Sequence, residues 1–126
     1  MRALCRKIIS RTTKKDLGEI SSWLKINKEY VVLAINFMEG SGFDIYIQTE
    51  DHHEPRFISL VGFEIISEIM PSSWVTVVSE AYGKKVITML PQSWNYERFF
   101  EDMENQDKKA IALFNKEAEI IYREEG

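Results

Sequence analysis

Eight consecutive residues, Tyr30-Val31-Val32-Leu33-Ala34-Ile35-Asn36-Phe37, constrain the fold more than any other stretch of the chain. A strand that faces water on one side alternates apolar with polar residues. This one is apolar at both alternating sets of positions, which reads as a central strand covered on both sides. The neighbouring stretches supply the rest of a sheet. Gly40-Ser41-Gly42 marks a turn, and Phe43, Ile45 and Ile47 then alternate with Asp44, Tyr46 and Gln48. Phe57-Ile58-Ser59-Leu60 is a short strand candidate. Phe63 to Met70 fits either a strand or a helix, and periodicity does not separate the two.

The motif P-x-S-W occurs at Pro71-Ser72-Ser73-Trp74 and again at Pro91-Gln92-Ser93-Trp94. Between the copies lie a β-branched run, Trp74 to Ser79, a turn at Ala81-Tyr82-Gly83-Lys84, and a return strand, Lys85 to Leu90. The prolines therefore bracket one hairpin, because a residue without an N–H stops strand pairing where it stands. The first copy enters a strand and the second a helix, with Gln92-Ser93 near its first turn and Phe99-Phe100 on its buried side. The copies read as punctuation, each with a packed tryptophan. The stretch from Asp107 to Arg123 is a helix with Ala110, Leu113, Phe114, Ala118 and Ile121 as its apolar stripe and Asp107 at its N-terminus. A further helix is expected near the start, with Thr13 as N-cap, Asp16 three residues on, and Leu17, Ile20, Trp23 and Leu24 along one face. The expected fold is α+β: a single domain spanning 1–126, with an antiparallel or mixed β-sheet, an N-terminal helix and C-terminal helices packed on it.

With 44% hydrophobic and 12% aromatic residues, 126 residues can bury a real core. No run of 18 apolar residues suggests a membrane span, and no apolar run follows the first charges as a secretory signal requires. Cys5 is the single cysteine, so no internal disulfide can form, and a reducing cytoplasm is the expected setting. The net charge of −4 is unevenly spread. Residues 1–15 form a basic leader of +6, residues 16–94 carry −6, and residues 95–126 carry −4. An acidic body repels phosphates and favours a basic protein partner over nucleic acid or membrane.

Chemistry is sparse. His52-His53, with Glu50, Asp51 and Glu54, is the best set of metal-type ligands, but adjacent histidines in an extended segment point apart and no third one exists. No nucleophile elbow, phosphate loop or dinucleotide fingerprint occurs. Glu117 falls on the apolar face of the last helix, where a carboxylate needs a partner or a purpose. A non-enzymatic protein without cofactor or metal is therefore expected. The alternatives are a small cytoplasmic enzyme using Glu117 and a histidine, or an adaptor touching RNA or a membrane through residues 1–15.

Acids cluster in three places: the loop with Glu50, Asp51 and Glu54; the hairpin end near Glu80; and the stretch with Glu97, Glu101, Asp102 and Glu104. Aromatics lie among them. Acids speed encounter with a basic partner, while aromatics supply burial. The candidate contacts are Asp44, Glu50, Asp51, Glu54, Glu80, Glu97, Glu101 and Asp102, with Tyr46 and Trp94 as anchors.

The order Met70-Pro71-Ser72-Ser73-Trp74, a hairpin, Leu90 to Trp94, Phe99 to Ala110 (F-F-E-D-x-E-N-x-D-x-x-A) and Phe114 to Ile121 (F-x-x-E-x-x-x-I) resembles small bacterial immunity proteins of contact-dependent growth inhibition and related polymorphic toxin systems. The likeness spans about residues 57–123. It implies a cytoplasmic protein that binds a cognate toxin domain, often a nuclease such as a tRNase, and blocks its active site or substrate-binding face. No catalytic residues carry over, and the contact residues above rest on local sequence alone.

Overall fold

In the computed structural model, the described residues are 1–9, 24–49 and 54–126. Among these residues, eight strands form two sheets. They are β1 (Arg2–Cys5), β2 (Glu29–Val31), β3 (Ala34–Met38), β4 (Gly42–Gln48), β5 (Pro55–Ser59), β6 (Phe63–Ser67), β7 (Trp74–Ala81) and β8 (Lys84–Pro91). A 3-10 turn, Gln92–Trp94, leads to the short helix α1 (Phe99–Glu104) and the long helix α2 (Lys108–Glu125). The small sheet has the order β2-β1-β6 and the large one β5-β4-β3-β8-β7. Every pairing is antiparallel. The protein is α+β, with helices at the C-terminal end as the sequence suggests.

Side-chain alternation on the large sheet separates two cores. Ile45 and Ile47 on β4 pack with Ala3, Cys5 and Tyr30 of the small sheet. Tyr46, between them, packs with Trp94, Phe99, Phe114 and Ile121 of the helical layer. The large sheet is thus the middle of three layers, which explains apolar residues at both sets of positions on its central strands.

The run from Tyr30 to Phe37 is two strands, not one. It leaves the small sheet at Val31 and enters the large sheet at Ala34, with Val32 and Leu33 fully buried between them. Val32 packs in the core between the sheets and Leu33 in the core under the helices. Burial on both sides arises because the chain passes from one layer to the next.

Further expectations change or are resolved. The N-terminal element is a strand, β1, and not a helix. Arg2–Cys5 pairs with both β2 and β6 at the centre of the small sheet, so the start of the basic leader is built into the fold. The helix expected from Thr13 to Trp23 lies outside the described residues, and Leu24 is a buried residue of the core between the sheets. The ambiguous Phe63–Met70 resolves as a strand to Ser67, because β1 offers it a pairing edge. After Pro91 the chain makes only the 3-10 turn, and helix begins at Phe99.

The β7–β8 turn has two residues, since Ala81 pairs with Lys84. Tyr82 and Gly83 take φ of 54° and 75°, the doubly left-handed geometry that suits strand twist in a two-residue hairpin. Glycine accepts this freely, whereas tyrosine does not. Tyr82→Asn, at a side chain with no burial to lose, is expected to raise stability by about 0.5–1 kcal/mol in urea unfolding.

Glu125 ties the ends of the described chain together. Its carboxylate accepts from the Met1 amine at 2.6 Å and from Arg2 Nε at 2.8 Å, and its side chain is 4% exposed. Burial alone would push its pKa up, but the hydrogen bonds from Met1 and Arg2 outweigh this and hold it below its ordinary 4.5. The stability that follows is present above about pH 4.5 and is lost as pH falls through the depressed folded value. Glu125→Gln is expected to cost about 2 kcal/mol at neutral pH. The gap to the parent protein should narrow as pH falls below about 4.5 and close once pH is below the depressed folded value, as measured by unfolding across pH.

Candidate functional site

Three aromatic rings build the floor of a groove between the β5 edge of the large sheet and the helical layer. Tyr46 and Phe57 are cross-strand partners in the β4–β5 register, so both face the helices. Their ring centroids are 4.7 Å apart. Phe100 of α1 lies 4.9 Å from each. Met103 and Glu104, three and four residues after Phe100, share its helix face and also line the groove. Ile111, Phe114 and Asn115 of α2 close the far wall, and Gln48, Glu54, Pro55, Arg56 and Gln106 complete the rim. The space is about 690 Å³.

The rim carries both polar bonds and charge. Gln106 Nε2 donates to Glu54 Oε1 at 3.3 Å, joining the start of β5 to the turn between α1 and α2. Tyr122 donates to Gln48 Oε1, fastening the end of β4 to α2. The Tyr46 hydroxyl is pushed well above its usual pKa, by burial first and by the charge of Glu104 second. It stays protonated at any ordinary pH, so the negative charge here comes from carboxylates, with Arg56 as the rim's cation.

Of the ten candidate contacts, Tyr46 and Glu54 line this groove. Glu101 and Asp102 lie beside it on α1, and Glu97 in the turn before it. Arg98 Nε reaches Glu101 at 3.1 Å and Asp102 at 4.0 Å, so one guanidinium offsets part of that charge. Glu50 and Asp51, and His52-His53, lie outside the described residues. Two acids are elsewhere. Asp44 is on β4 opposite Asn36 and Ser59, four residues before Gln48. Glu80 is ion-paired with Lys85 near the hairpin tip, six residues of β8 from Pro91 and so about 20 Å away along the strand. Local acid density in the sequence did not reveal that strand length separates these groups.

The two expected anchors are both buried. Tyr46 is 3% exposed and Trp94 0%, which leaves almost no surface for a partner. Trp94 stacks between Phe99 at 4.9 Å and Phe114 at 5.4 Å, and its indole N–H donates to Leu113 O at 3.1 Å. Polar neighbours in sequence concealed this, because the 3-10 turn points Trp94 inward while its neighbours stay outside. Trp74 is likewise structural, donating from Nε1 to Leu33 O at 3.1 Å. Both P-x-S-W copies punctuate the hairpin as read. The residues that sequence reasoning missed, Arg56, Phe57 and Met103 among them, converge on the groove only through pairing register and helix docking.

Glu117 stands apart from the groove. It is 9% exposed on the buried side of α2. One oxygen accepts from Ser93 Oγ at 3.1 Å, and the other is buried without a hydrogen-bond partner. The basic leader is partly neutralised within the fold: Arg2 pairs with Glu125 and Glu29, and Arg6 with Glu64. Among the described residues no three His, Cys, Asp or Glu side chains come together to hold a metal. No described helix is long and apolar enough to cross a membrane.

A buried carboxylate oxygen without a partner costs stability. Glu117→Met removes it, and Ser93, being exposed, can turn to water. The expected gain is about 1 kcal/mol in urea unfolding.

Comparison with protein-family models, with curated proteins and with solved structures returned no match to the chain.

Proposed function

We propose that this chain is an immunity protein: it binds a cognate bacterial toxin domain, a nuclease such as a tRNase, and blocks its active site or substrate-binding face. The observation that carries the reading is the groove of aromatic floor and acidic rim beside the acids of α1. From Asn95 to Asp107 the chain has five acids, Glu97, Glu101, Asp102, Glu104 and Asp107, against the single base Arg98. A nuclease must hold phosphates in a basic cleft, and carboxylates at this spacing offer that cleft a substitute. The acids steer the encounter, while the half-buried Phe100 and Met103 give a lysine or arginine stem apolar surface to lie on. The likeness of residues 57–123 to immunity proteins supports the same reading. In this role the protein acts in the cytoplasm, without cofactor and without touching nucleic acid itself.

The test begins with the tagged chain expressed from its native locus with the flanking genes. A basic domain should elute with it in equal amounts, kill cells when expressed alone, and be silenced by this chain. Absence of any such domain sinks the proposal. With the pair in hand, the triple variant Glu97→Lys/Glu101→Lys/Glu104→Lys is expected to slow association at least about tenfold at low salt and to flatten its salt dependence. All three side chains are exposed, so the fold should be unaffected. An unchanged rate would place the interface on another face.

A further inference from the structure

Among the described residues, the large sheet ends on one side in a strand with few of the usual protections against pairing with another chain. Natural edges are kept short, interrupted by proline or bulges, or guarded by charge. β5, the opposite edge, has five residues and opens on Pro55-Arg56. In the small sheet, β2 has three residues, and β6 has five with a register shift in its pairing to β1. β7 has eight residues, in unbroken register with β8 from Trp74–Pro91 to Ala81–Lys84. It contains no proline. Its one charged residue, Glu80, is held by Lys85 of the same hairpin. Among the described residues, no other strand pairs with its outer side.

An exposed apolar row leads across the sheet to this edge. Val78 on β7 is opposite Ile87 on β8, Ile87 is opposite Phe37 on β3, and Phe37 is opposite Phe43 on β4. Residues directly opposite share a face, so the four side chains form one line. Val78 is 65% exposed, and Ile87 and Phe43 also face solvent. The Phe37 and Phe43 rings are 4.8 Å apart.

We propose that β7 is a dimerisation edge: two copies of this chain pair β7 to β7, antiparallel, with Val78 opposite Val78 on the two-fold axis. In that register the apolar row of one copy continues into the row of the other across a ten-stranded sheet. Thr76 falls opposite Glu80 of the second copy, so no like charges meet, and a hydroxyl faces the carboxylate. That charge pattern selects a second copy as the occupant. The whole chain is acidic, but this edge is locally neutral, so self-association here escapes the repulsion that would oppose it elsewhere. The groove lies beside β5 at the other edge of the sheet, so pairing through β7 leaves it open. The dimer stands whether or not the chain neutralises a toxin.

The experiment is sedimentation of the purified full chain across micromolar concentrations, with light scattering to fix the mass. The parent protein is expected at twice the chain mass at the upper end. Val78→Lys should be monomeric throughout, with unchanged circular dichroism and, at dilutions where the parent is also monomeric, the same unfolding midpoint, since the side chain is exposed. Val78→Cys should form a covalent dimer under mild oxidation and Glu80→Cys should not, because only position 78 meets itself; the one native cysteine, Cys5, is buried. A parent protein that stays monomeric overturns the proposal. So does a dimer that survives Val78→Lys, or cross-linking that is equal at both positions.

Discussion

The structure turns on two residues where the chain changes layers. Val32 and Leu33 are fully buried, one on each side of the large sheet, and three of their four backbone groups bond to three separate parts of the fold. Val32 N–H donates to Met1 O at 2.9 Å, and Leu33 N–H to Tyr46 O at 2.9 Å. Leu33 C=O accepts from the Trp74 indole at 3.1 Å. An interior backbone group without a partner would cost as much as a lost hydrogen bond, so burying the crossing depends on Met1 just before β1, on β4 and on the start of β7 converging on it.

From that point the middle sheet organises both of its neighbours by alternation. Ile45 and Ile47 close the core against the small sheet, and Tyr46 between them reaches the helical layer. There the aromatic stack of Phe99, Trp94 and Phe114 seats α1 and α2, and Asp107 caps α2 by accepting from Ala110 N–H at 3.0 Å. Since α1 is only six residues long, packing and not intrinsic helicity holds it. Its docking sets the distance from Phe100 to Phe57, and so creates the groove. The acids that give the groove its charge are thus positioned by a core that contains none of them.

The two ends of the large sheet divide the surface by chemistry. At the β5 edge, acids and polar amides surround an apolar floor, which suits a basic partner. At the β7 edge, charge is nearly absent and an apolar row meets unpaired backbone, which suits a strand of like kind. A single sheet can serve both because its edges are separated by three intervening strands.

Much of this was legible in the sequence because it depends on local rules. The C-terminal helix with its Asp107 cap, the hairpin between Pro71 and Pro91, the turn at Gly40-Ser41-Gly42 and burial on both sides of the run from Tyr30 to Phe37 each follow from periodicity, proline chemistry or capping within a few residues. The tertiary structure decided what depends on partners distant in sequence. It split that run between two sheets, made Arg2–Cys5 a central strand, and turned Phe63–Ser67 into an edge because β1 was there to pair with it. It also placed Trp94 in the core and joined Tyr46, Phe57 and Phe100 into one surface. A sequence records which side chains can be buried. Which of them meet is set by pairing register and layer order, and these exist only once the whole chain has closed on itself.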